Sequence, residues 1–184
     1  MGNETVFLSD RIIYPFLEDT ITRPANTTAY ADGDAISDVT TNDFFTLQSA
    51  EGREIGARTG KITGATLFSD SYVATGLAAD ILLFNNPDDL PTETADNATV
   101  AITDAEMDFC FGVLKFLTGG WTRGGANNIQ HLNDLDISFQ IPLVGAGSPG
   151  TPARFSIYAQ AVARNAYVPI SGEKFTLKLK IRVD

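Results

Sequence analysis

This chain of 184 residues contains one cysteine, one histidine and one tryptophan, and each scarcity closes a class of chemistry. The lone Cys110 excludes an internal disulfide, so the fold must rest on packing. Its setting in MDFCFGVLKF predicts a buried, inert thiol. A serine or cysteine nucleophile ordinarily needs an imidazole base, and His131, in NNIQHLND beside an expected strand, is the sole candidate. It reads as a solvated or structural histidine. Long apolar runs are also missing: no stretch approaches the roughly 20 residues of a membrane-spanning helix, so no membrane partner is expected. The opening MGNETVFLSDRIIYPFLED mixes acids into its hydrophobic positions, and no secretion leader is expected from it. Basic residues are few, 13 Lys and Arg against 23 Asp and Glu, for a net charge of −10. Such a field repels a phosphate backbone, and nucleic acid is not an expected partner.

Short motifs that resemble catalytic or cofactor sites fail on inspection. GARTGKI has only three residues between Gly56 and Gly60 and carries Ile62 where a phosphate loop needs a hydroxyl. GAGSPG has Ala146 where a nucleophile elbow needs glycine, two residues before Ser148. Asp32, Asp34 and Asp38 offer oxygen ligands for a cation, but their spacing departs from the helix-loop-helix calcium loop. Asn3, Asn26 and Asn97 stand in Asn-x-Thr triplets that matter only in a secreted eukaryotic chain. Two carboxylates could in principle form a glycosidase pair, but spacing alone places no two of the acids across a cleft. The expectation is a non-enzymatic protein with no cofactor and no bound metal.

What the chain does have is period-two hydrophobicity. EKFTLKLKIRVD sets Phe175, Leu177, Leu179, Ile181 and Val183 on one face and Lys174, Thr176, Lys178, Lys180 and Arg182 on the other. DLDISFQIPLV repeats the pattern through Leu135, Ile137 and Phe139 until Pro142 restricts pairing. ADILLFNN and FCFGVLKFL read as strands covered on both faces, and GKITGATLFSD, FFTLQS, NATVAI and RFSIYAQAVAR as further strands. Clusters rich in Gly, Pro, Asn and Asp, such as EGREIG, NNPDDLPTETADN, TGGWTRGGANN and GAGSPGTP, separate them. TDAEMDF has capping-box spacing from Thr103 to Glu106 and predicts one helical turn. The opening loop, DTITRPANTTAYADGDAIS, reads as a strand stopped by Pro24, then Asn and Thr side chains bonding their own backbone, then a turn at Gly33. Roughly eight to ten strands and few helices predict an all-β fold, a single antiparallel β-sandwich or jelly roll spanning residues 18–184, with a closed barrel as the second choice. Residues 1–17 are either an arm leaving the subunit or the first strand.

Charge is unevenly distributed: eight acids and no Lys or Arg lie between Asp80 and Asp108, whereas the last strand has a cationic face. The stretches ITRPANTTAYADGDAIS, ILLFNNPDDLPTETADNATVAITDAEMDFCFGVLKF and YVPISGEKFTLKLKIRVD together resemble small structural proteins of tailed bacteriophages that decorate or cement the virion. That resemblance implies a place in the virion, assembled in the host cytoplasm, with the major capsid protein or another virion protein as partner. It transfers no catalytic residue. Self-association, with a homotrimer as the expected state, would let the acidic stretch and the basic strand of neighbouring subunits meet. Ile12, Ile13, Tyr14, Phe16 and Leu17 are the apolar candidates for partner contact, and Lys178, Lys180 and Arg182 the charged ones. The rival expectation is a glycan-binding module in which Trp121, beside Arg123 in a glycine-rich loop, stacks on a sugar. Set against it is the reading of Trp121 folded down as a lid on the end of the sandwich.

Overall fold

A computed structural model describes residues 13–38, 45–49, 59–72, 76–85, 90–140 and 156–183. Among them eleven strands run in chain order: β1 (Ile13–Thr22), β2 (Ala35–Ile36), β3 (Phe45–Ser49), β4 (Thr59–Ser69), β5 (Ala79–Phe84), β6 (Cys110–Phe116), β7 (Thr122–Gly124), β8 (Asn127–Leu132), β9 (Ile137–Gln140), β10 (Ile157–Ala163) and β11 (Lys174–Val183). The one α-helix, α1 (Asp104–Met107), is the turn expected from the capping box. Thr103 accepts from the Glu106 backbone, and the Glu106 side chain returns the bond.

All pairings among the described residues are antiparallel; nine strands follow one hydrogen-bonded path, β6-β5-β10-β3-β1-β11-β4-β8-β7, with β2 paired to β10 and β9 to β4 beside it. The path folds into two facing sheets, and β3 is the hinge between them. Its Phe45, Thr46 and Leu47 pair with β10, whereas Gln48 and Ser49 pair with β1. One core fills the space between, joining Leu17, Ile62, Leu67, Leu177, Leu179 and Ile181 of the first sheet to Ile81, Leu83, Leu114, Phe116 and Ile157 of the second. Each fully buried side chain of this size contributes about 1.5–3 kcal/mol. The fold is the expected all-β sandwich.

The inward residues of β11 fall where the alternation puts them, Phe175, Leu177, Leu179 and Ile181 each being at most 1% exposed. In β4 the inward phase changes from Ile62 to Ala65 and Leu67, because the register against β11 slips between Lys180 and Ile181. This is a bulge at Thr63, and the extra residue restores the apolar face. A second slip lies between Tyr14 and Leu17, around Pro15, which has no N–H to give the ladder. Residues 13–17 therefore belong to the first strand. Leu17, offered as a partner contact, is fully buried in its own core.

Two expected strands turn out differently. NATVAI forms only a bridge at Thr99, paired with Asp34, because Val100 and Ile102 are used to cover Leu82, Phe84 and Val162 on the outer side of the second sheet. That cover makes β5 buried on both faces as expected. β6 lies beyond it, so Val113 and Lys115 are exposed, while Leu114 and Phe116 are buried in the core and Phe111 packs against it.

The polar loop after β1 is not merely a bend. Thr28 N–H donates to Asn26 Oδ1 at 3.1 Å and Gly33 takes φ 93°, as the turn residues predict. Yet Arg23 and Tyr30 within it are each 1% exposed. The Arg23 guanidinium reaches Asp96 Oδ2 at 2.9 Å and donates from Nε to the Tyr30 hydroxyl, which itself donates to Asp96 Oδ1 at 2.6 Å. Removing Arg23 would leave a buried carboxylate without its cation. Arg23→Ala is expected to cost about 3–5 kcal/mol in urea unfolding, and Arg23→Met combined with Asp96→Asn to recover part of that loss, since no charge is then buried. An unchanged unfolding midpoint for Arg23→Ala would contradict this account.

Candidate functional site

At one end of the first sheet three turns meet: the residues following β4, the β7-β8 hairpin and the approach to β11. They enclose an open cleft of about 500 Å³ lined by Asp70, Ser71, Tyr72, Arg123, Ile170 and Glu173, among others. Asp70 is held by two bonds, its N–H donating to the Lys174 carbonyl at 3.1 Å and its Oδ1 accepting from Lys174 N–H at 2.8 Å. The Gly125–Ala126 turn has its glycine at φ 74°, the left-handed conformation that the first position of a two-residue hairpin requires. Across the cleft Glu173 N–H donates to the Ile170 carbonyl at 3.1 Å, with Gly172 at φ 67° supplying the third position of the turn.

The floor of the cleft is rigid because its carboxylate is satisfied. Glu173, 2% exposed, accepts from Ser69 Oγ and from Tyr167 OH at 2.7 Å on Oε1, and from Ile170 N–H at 3.2 Å on Oε2. Burial pushes the Tyr167 phenol well above its ordinary range, and the Glu173 charge adds to the rise. Burial does the same to Tyr30, helped by Asp96. The rim is amphipathic. Arg123 donates from Nε to the Gly125 carbonyl at 2.9 Å, and its guanidinium carbon lies 4.0 Å from the centroid of the Tyr72 ring, a cation–π contact. Tyr72 remains 42% exposed and Ile170 46%.

Trp121 lies apart from this rim in role. Its indole N–H donates to the Leu77 carbonyl at 2.7 Å and its ring packs on the core, so it has the position of a lid. Arg123 therefore finds its aromatic partner in Tyr72 and not in its sequence neighbour. His131 is exposed on the outer face of the first sheet, with Nδ1 2.9 Å from Thr66 Oγ1. Lys178 pairs with Glu18 at 2.6 Å, Lys180 is exposed, and Arg182 is half-buried across the ladder from Lys61. Ile13, Tyr14 and Phe16 lie in β1, and Ile12 is outside the described residues.

Asp32, Asp34 and Asp38 do not converge: Asp34 accepts from Ala31 N–H, Asp38 from Thr22 N–H, and Asp32 lies 3.6 Å from Arg164. Among the described residues no three acidic, histidine or cysteine side chains gather as a metal site would require. Cys110 is half-buried at the start of β6, its thiol 3.3 Å from the Gly112 carbonyl. Sequence reasoning passed over Asp70, Tyr72 and Glu173. The available signal was the pair of turn sequences at the ends of strands, SDSY and ISGE, which the antiparallel β4-β11 pairing brings together.

No family model matches the chain, and no curated protein matches it.

Two outcomes follow from these surroundings. A Cβ at Gly76 would lie 2.2 Å from Trp121 Cδ1 and 2.9 Å from the Thr118 carbonyl. Gly76→Ala should displace the indole, cost about 1–3 kcal/mol and red-shift the fluorescence of the only tryptophan; an unshifted spectrum would place Trp121 elsewhere. The raised phenols set a pH limit. Folded Tyr30 and Tyr167 keep protons that unfolded tyrosines release above about pH 10, so their contribution is complete below that pH and declines as pH rises past it. Alkaline titration should show the phenolate absorbance of two of the five tyrosines appearing only with unfolding.

Proposed function

We propose that the chain is a non-enzymatic structural protein of a tailed-bacteriophage particle, decorating or cementing its shell as a homo-oligomer, with a trimer as the expected state. The observation that carries this reading is the opposite charge bias of the two outer sides of the sandwich. On the outer face of the first sheet, Lys61, Lys174, Lys178, Lys180 and Arg182 sit on adjacent strands. They lie beside Glu18 and Asp136; the latter's carboxyl is held below its ordinary range by Lys61, 2.6 Å away. The outer side of the second sheet carries the covering segment with exposed Glu93, Asp104 and Asp108. The basic face of one copy suits the acidic face of the next, a head-to-tail contact that a ring can close.

Exposed ion pairs supply only about 0.2–1 kcal/mol each. Apolar contact must carry most of the assembly, and the acidic side also exposes Met107, Phe109, Val113 and Leu117, the last at 64%. The likeness of the three long stretches to virion proteins supplies the setting, and the two faces supply a means of association.

Sedimentation velocity at micromolar concentration should give a mass near three chains in low salt. Dissociation should increase toward 1 M salt, where the Debye length falls to about 3 Å. Lys178→Glu combined with Lys180→Glu should shift the protein toward monomer and reduce cosedimentation with undecorated shells, while moving the melting temperature by only a few degrees, about what solvated surface changes cause. A monomer in low and high salt alike overturns the assembly reading. An oligomer that never cosediments with shells overturns the virion setting alone.

A further inference from the structure

We propose that the cleft formed by Asp70, Tyr72, Arg123 and Ile170 at the end of the first sheet binds a neutral saccharide. Its lining sets the chemistry. The Tyr72 ring, one face of which carries the Arg123 guanidinium, and the Ile170 side chain offer their remaining exposed surface to the C–H face of a pyranose. Beside them stand a carboxylate, a hydroxyl and a guanidinium, which accept from and donate to vicinal hydroxyls. The cleft combines these groups on three turns whose backbones are fixed by the Asp70–Lys174 pair, the Gly125 turn and the Ile170–Glu173 turn. Such preorganisation lowers the ordering cost of binding.

Other ligand classes fit less well. Two carboxylates, Asp70 and Glu173, line the cleft with one guanidinium in a chain of net charge −10, which disfavours phosphate or another anion. A wholly apolar ligand would strip water from the exposed Asp70 carboxylate and Arg123 guanidinium without replacing it. Glu173 already accepts three hydrogen bonds, so it serves as floor, and contact with the sugar falls to Asp70, Tyr72 and Arg123. Arg123 has two parts in this arrangement: its Nε anchors it to the hairpin and its guanidinium plane holds the Tyr72 ring. Trp121 is not part of the cleft lining: its half-buried ring packs against the core and its N–H donates to the Leu77 carbonyl. The site does not rest on the assembly reading, since a monomer would carry it equally.

Saturation-transfer NMR on the full chain would test this with maltotriose, cellotriose, chitotriose and lactose as separate probes. Transfer to at least one of them is expected. Tyr72→Ala and Arg123→Ala should each weaken it about tenfold or more, as loss of a central contact does, with melting temperatures near that of the parent chain; Tyr72→Trp should retain it. Should Tyr72→Ala fail to fold, Arg123→Ala on the exposed hairpin decides alone. Absence of transfer to all four probes overturns the proposal. So does binding that survives Arg123→Ala, and so does displacement of the sugar by inorganic phosphate, which would mark the cleft as an anion site.

Discussion

A guanidinium sealed from water must find its counter-charge inside the protein, and the position of Arg23 imposes that demand on much of this fold. Asp96 supplies the charge and Tyr30 shares it, although Arg23 Nη1 finds no partner among the described residues. The consequence is topological. Residues 23 and 30, in the loop leaving the first sheet, are tied to residue 96, in the segment that covers the second. Ser37 extends the tie, donating from its hydroxyl to the Thr94 carbonyl. Tyr30 stacks on Tyr167 with centroids 6.5 Å apart, and Tyr167 bonds Glu173. A buried series of contacts therefore runs from the covering segment to the floor of the cleft, its side-chain hydrogen bonds joined between Tyr30 and Tyr167 by a ring contact and a backbone bond of 2.9 Å. Networks of this kind are costly when half-satisfied and rigid when complete.

The bonds made at its floor explain how an open cleft keeps its shape. The turns around it are short and surface-exposed, the type of segment that ordinarily moves. Here the turns after β4 and before β11 are fixed by bonds to Lys174 and Glu173, and the β7-β8 hairpin by its own ladder, so the exposed rim is tied to the buried floor. The two faces of the sandwich are set in the same manner. β11 lies between β1 and β4, so its outer face meets Lys61 of β4 on one side and Glu18 of β1 on the other. The acid-rich segment is held against the opposite sheet by Val100 and Ile102.

Individual strands were legible where alternation was unbroken. In β11 a single phase holds from Phe175 to Ile181, and burial follows it. The phase change in β4 was hidden because a bulge is a property of two paired strands, and Thr63 bulges only in relation to Lys180 and Ile181. NATVAI has a strand's composition, but Val100 and Ile102 gain more by capping the apolar outer face of β5 and β10 than by extending a ladder. The cleft was illegible for a similar reason. Trp121 and Arg123 are neighbours in sequence and suggested a shared site, yet the ring that meets Arg123 is Tyr72, from another turn.

By itself the sequence determined the class of the fold, the inward face of its clearest strands, the short capped helix and the separation of acidic from basic segments. These follow from side-chain period, capping chemistry and composition, all local quantities. Only the tertiary structure decided that Arg23 and Glu173 lie buried, that β3 joins the two sheets and that three distant turns share one cleft. Period-two alternation tells a strand which side faces inward. It carries no information about which strand lies beside it, and in an antiparallel sandwich that choice determines which charges are buried together and which loops meet at an end.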